Sequence, residues 1–101
     1  MIPSSSGGWA TDVTDWDDPR VLQTGPESFD VWVGGRRLAA RLAHHTRRGL
    51  GLQGVPPVQV AAEMVIFLAE RDALPAGTEV ELGRAVGRFP EATEELRSRL
   101  V

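Results

Sequence analysis

Arginine is the one chemically active side chain that this sequence supplies in quantity at close spacing. Arg36, Arg37, Arg41, Arg47 and Arg48 crowd a single stretch, with His44 and His45 among them. A guanidinium fork pairs two-pronged with phosphate or carboxylate, and Trp32 just upstream offers a ring on which a base or a cation can stack. The same arginines can instead lay their stems over apolar surface and pair with the chain's own acids. The candidate contact set is therefore Trp32, Arg36, Arg37, Arg41, Arg47 and Arg48, facing an acidic protein segment or a polyanion.

Other chemistry is thin. The chain has no Cys, which removes disulfides, thiolate nucleophiles and cysteine metal sites. His44 and His45 are the only imidazoles. Placed on a strand they point to opposite faces, and no acid lies within ten residues of them in sequence, so they read as surface histidines. Asp15, Asp17 and Asp18 lie in a stretch with no scaffold to shift their pKa values, and Glu63 stands alone on an apolar helix. The glycines at 34–35, 49, 51 and 54 lack the Gly-Lys-Ser/Thr ending of a phosphate loop. The expectation is no catalytic constellation, no metal site and no cofactor.

Charge is unevenly distributed. Residues 1–30 carry −5, residues 31–57 carry +5 with no acid, and residues 58–101 carry −3. A domain built to hold nucleic acid is usually basic overall, whereas this chain is at −3. Lys, Asn and Tyr, whose codons are AT-rich, are all absent, which suggests a GC-rich bacterial genome. No secretory signal is visible at the start, and the longest apolar run, residues 60–69, is far short of a membrane span. A cytoplasmic protein with no membrane partner is expected.

The positioning elements can be read from pattern. With Gly34-Gly35 as a two-residue turn, Val33/Arg36, Trp32/Arg37, Val31/Leu38, Asp30/Ala39, Phe29/Ala40, Ser28/Arg41 and Glu27/Leu42 become opposed pairs. One face then holds Phe29, Val31, Val33, Leu38, Ala40 and Leu42. A helix over Arg36 to Arg48 competes with this hairpin, because Leu38, Ala39, Leu42 and Ala43 also form a helical stripe and Arg47-Arg48-Gly49 reads as a helix stop. Residues 49–57 form a loop. A helix from Pro57 to about Asp72 buries Ala61, Met64, Val65 and Leu68. Ile66 stands on its polar stripe beside Glu63 and Glu70. These three form a candidate association surface, for a homodimer among other partners, unless the N-terminal arm covers Ile66 through Trp9 or Trp16.

Thr78-x-x-Glu81 reads as a capping box opening a helix with Leu82, Ala85, Val86 and Phe89 inward. Pro90 suits the first position of a last helix presenting Ala92, Leu96 and Leu100. Leu82, Gly83, Val86 and Gly87, followed by Leu96 and Leu100, make residues 78–100 resemble a helix-turn-helix unit. That resemblance implies DNA reading by the second helix. Yet Glu91, Glu94 and Glu95 occupy the end that approaches phosphates, and no Arg precedes Arg97, so the unit is degenerate.

The expected fold is α+β: a small single domain over residues 27–101, one β-hairpin packed against three helices, with an extended, partly disordered acidic arm over 1–26. A third strand would come from the arm or from the 50–55 loop. The expected function is a non-enzymatic adaptor or regulator that binds another protein. The alternative is a nucleic-acid-binding regulator using the Arg36–Arg48 block or the degenerate unit at 78–100.

Overall fold

Gly34 and Gly35 both take positive φ, 57° and 78°, the backbone a type I′ turn requires and glycine adopts without strain. In this computed structural model, which describes residues 19–101, that turn sets the register of a four-stranded sheet. Strand β1 (Arg20–Gln23) runs antiparallel to β2 (Ser28–Val33), and β2 antiparallel to β3 (Arg36–Arg41). The β2–β3 pairs are those read from the sequence, Val31 opposite Leu38 and Trp32 opposite Arg37. Beyond the ladder, the Leu42 N–H donates to the Glu27 carbonyl at 2.9 Å. Phe29, Val31, Val33, Leu38, Ala40 and Leu42 are each at most 2% exposed, so the whole predicted inner face is core.

Four helices accompany the sheet among the described residues: α1 (His44–Gly49), α2 (Pro57–Glu70), α3 (Leu82–Val86) and α4 (Ala92–Leu100). Pro57 sits in the first turn of α2, where its missing N–H costs nothing. Past its other end, Asp72 takes φ 53° while its N–H donates to the Ala69 carbonyl and that of Ala73 to Leu68. This is a Schellman ending with an aspartate in the left-handed position. Ala61, Met64, Val65 and Leu68 are fully buried as expected; so are Val60 and Phe67, and α2 is the centre of the core.

Several expectations are corrected. Among the described residues the sheet has four strands and the helices number four, not one hairpin and three helices. The third strand comes from the arm: Arg20–Gln23 pairs with β2, whereas the 50–55 loop instead buries Leu52 in the core. Residues 1–18 of the expected arm, with Trp9, Trp16 and their aspartates, lie outside the described residues. The contest over Arg36–Arg48 resolves in two parts, strand to Arg41 and helix from His44, with apolar alternation failing at Leu42-Ala43 between them.

Thr78-x-x-Glu81 does not cap a helix from Thr78. Glu79–Glu81 forms β4, parallel to β3 with Val80 beside Ala40, and the Thr78 carbonyl accepts from the Ala39 N–H at 2.7 Å. Glu81 is itself the cap, accepting from the Arg84 N–H at 2.7 Å, so α3 begins only at Leu82. The last helix starts at Ala92, two residues after Pro90.

Candidate interaction surface

The core lies on one side of the sheet, which leaves the alternate residues of all four strands on the other. Read across the strands, they form three rows: Arg20–Trp32–Arg37, then Leu22–Asp30–Ala39–Glu79, then Ser28–Arg41–Glu81. Leu22 is 57% exposed and Trp32 36%, the two most open large apolar side chains in the described sheet. Ala39, being small, leaves a groove of about 440 Å³ bordered by Thr24, Ser28, Asp30, Arg41, Glu79 and Glu81. Three arginines and three carboxylates share the face, the acids reaching furthest on the β4 side.

Contacts on this face are loose. Arg37 donates to Asp30 at 2.9 Å while its guanidinium carbon lies 5.7 Å from the Trp32 ring centroid. Arg41 reaches Glu27 at 3.5 Å. Both arginine side chains are about two-thirds exposed, at 64% and 66%. Such pairs contribute only ~0–1 kcal/mol, so an arriving carboxylate can exchange with them.

The rest of the arginine block has other duties. Arg36 donates to the Pro75 and Gly77 carbonyls at 2.5 and 2.9 Å and so holds the chain that enters β4. Arg47 contacts His44 Nδ1 at 3.0 Å and the Val55 carbonyl at 3.4 Å, tying α1 to the following loop. Arg48 is exposed on α1. Of the six predicted contact residues, Trp32, Arg37 and Arg41 share the open face and the other three do not. Arg20, Leu22, Glu79 and Glu81 belong to that face and were missed. Their strands have four and three residues, too short for alternation to show.

His44 and His45 open a helix instead of occupying a strand, and an acid does reach them. Glu27, distant in sequence, accepts the His44 N–H at 2.8 Å, and its carboxylate lies 4.0 Å from the imidazole. That N–H bond holds the Glu27 carboxyl below its ordinary value against the opposing effect of burial, with the charges of His44, Arg41 and His45 adding to the shift. Among the described residues no three His, Asp or Glu side chains converge as a metal ion would need.

Glu63 and Glu70 face α4. Arg99 lies 3.5 Å from Glu63, 2.6 Å from Glu70 and 3.1 Å from Glu95, and Arg71 joins Glu70, Glu91 and Glu95 while stacking 3.6 Å above the Phe67 ring. The polar stripe on which Ile66 stands half-buried is thus in good part the α2–α4 seam. In the unit at 78–100, α3 has five residues, and Glu91 and Glu95 pair with Arg71 at the surface. Among the described residues no helix is long and apolar enough to cross a membrane. No protein-family model, no curated protein and no solved structure matches the chain.

Proposed function

We propose that this protein is a small non-enzymatic adaptor or regulator that binds another protein through the open face of its sheet. One observation carries the reading: a sheet face on which Leu22, on the edge strand, and Trp32, beside the hairpin turn, stand exposed with exchangeable charges next to them. Apolar anchors inside a polar rim are the usual anatomy of a protein contact, and tryptophan and arginine are its commonest hot spots.

Nucleic acid is the second reading, favoured by the Arg37 guanidinium lying over Trp32, a pairing on which a base can stack. Asp30, Glu79 and Glu81 on the same face oppose a phosphate backbone. Affinity capture from an extract of the source cells, with and without nuclease, decides between them. The proposal expects one defined protein, retained after nuclease and lost with Trp32→Ser. Loss on nuclease treatment supports the alternative.

A further inference from the structure

Strand β4 forms one margin of the sheet among the described residues. Ala39 of β3 is the partner of Glu79, and its N–H donates to the Thr78 carbonyl. In a parallel ladder a residue bonds the two neighbours of its partner, so Thr78 and Val80 direct their main-chain groups to β3. Glu79 and Glu81 direct theirs away from the sheet. The Glu81 carbonyl opens α3. The Glu79 N–H, the Glu79 carbonyl and the Glu81 N–H have no main-chain partner among the described residues. A groove of about 180 Å³ adjoins this edge, walled by Ala73, Pro75, Ala85, Arg84 and Arg88. Both arginines are exposed, and among the described residues neither pairs with an acid. We propose that the outer edge of β4 takes up an extended segment of a partner protein, with carboxylates on the residues that face Arg84 and Arg88 and none on the alternate residues that face Glu79 and Glu81.

Strand addition is a common mode of peptide recognition: main-chain bonds hold the segment and alternate side chains select it. Here the alternation specifies a charge order. Side chains of the added strand fall on the two faces of the sheet in turn. Those beside Val80, which points to the core, lie on the side of α3, whose Leu82 and Val86 are buried. Carboxylates there meet Arg84 and Arg88. Side chains beside Glu79 and Glu81 lie on the open face, where a further acid is repelled. A second copy of β4 fits poorly, since its glutamates would stand opposite these, and like charges so placed destabilise a strand pair. Strand β1 of a second copy carries no acid for the arginines. So short a strand offers few main-chain bonds, which keeps the contact weak and lets the arginines decide which segment is held.

This edge needs neither Leu22 nor Trp32, so the inference and the proposed function fail separately. Amide signals of the full-length protein, titrated with the pentapeptide acetyl-Lys-Asp-Thr-Asp-Lys-amide, test it. At millimolar peptide the Glu79 and Glu81 amide protons should move downfield, as newly bonded N–H groups do, while the Trp32 indole signal stays in place. Asn for both Asp in the peptide, or Arg84→Ser/Arg88→Ser in the protein, should weaken binding by about threefold or more. Pro for the central Thr, which removes a main-chain donor, should weaken it at least as far. No shift at Glu79 and Glu81, shifts at Trp32 in their place, or equal affinity for the Asp, Asn and Pro peptides overturns the assignment.

Discussion

The Arg37 guanidinium lies 5.7 Å from the centroid of the Trp32 ring and 2.9 Å from the Asp30 carboxylate, all three on the uncovered side of the sheet. Arg36, its neighbour in sequence, points the other way and grips two carbonyls of the segment that becomes β4. One residue of register separates an arginine available to a partner from an arginine that builds the fold.

Arg36→Ala should therefore loosen β4 while Arg37→Ala should not. Hydrogen exchange at the Ala39 amide, which donates to Thr78, reads this directly. Exchange is expected to accelerate clearly in Arg36→Ala and to stay near wild type in Arg37→Ala, whose exposed pair is worth at most ~1 kcal/mol. Equal exchange in the two variants would show that Arg36 is not the clamp.

Glu27 makes acid stability specific. Its folded pKa is depressed below the ordinary 4.5, chiefly by the His44 N–H. The stability it contributes is therefore fully present above that value and lost as pH falls through the folded pKa. Glu27→Gln keeps an acceptor oxygen but removes the titration. The thermal midpoint of the variant should fall less steeply than wild type below about pH 4.5. Parallel curves would mean that Glu27 gains nothing from the contact.

Leu68 is fully buried at the centre of α2. Leu68→Ala should cost about 2–5 kcal/mol, which lowers the thermal midpoint of a domain this size by roughly 10 °C or more. An unchanged midpoint would mean that the helix faces another way.

Gly83 marks the close approach of α3 to α1. A Cβ there would lie 2.8 Å from both Cγ2 and Oγ1 of Thr46. Alanine is favoured over glycine in a helix by about 1 kcal/mol, yet Gly83→Ala should destabilise because a branched side chain has nowhere to retreat. A double-mutant cycle measures the clash. Gly83→Ala is expected to cost much less in a Thr46→Ala background, and additivity of the two changes would remove the contact from the account.

What the sequence disclosed follows from interaction range. The β2–β3 hairpin was legible because six-residue strands alternate on either side of a Gly-Gly turn, so turn chemistry and burial pattern agree. Helix α2 was legible from its apolar stripe, though Val60 and Phe67 were missed because a central helix is covered on more than one side. Strand β4 was hidden. Glu79-Val80-Glu81 pairs with residues forty positions earlier, and Thr78 and Glu81 imitate a capping box that only Glu81 completes. The open face was half legible for the same reason. Trp32, Arg37 and Arg41 came with the hairpin, whereas Leu22 and Glu79 arrive through pairings of strands too short to announce themselves.

The most direct test of the central claim is the affinity of the captured partner, measured by titration calorimetry against wild type, Leu22→Ser, Trp32→Ser and the distant exposed variant Glu94→Ser. A binding surface centred on Leu22 and Trp32 predicts that the first two substitutions weaken binding by about tenfold or more, a hot-spot loss. Glu94→Ser should bind like wild type, and the thermal midpoints of all four proteins should stay close. Undiminished affinity in Trp32→Ser and Leu22→Ser would contradict the account and place the contact elsewhere on the molecule.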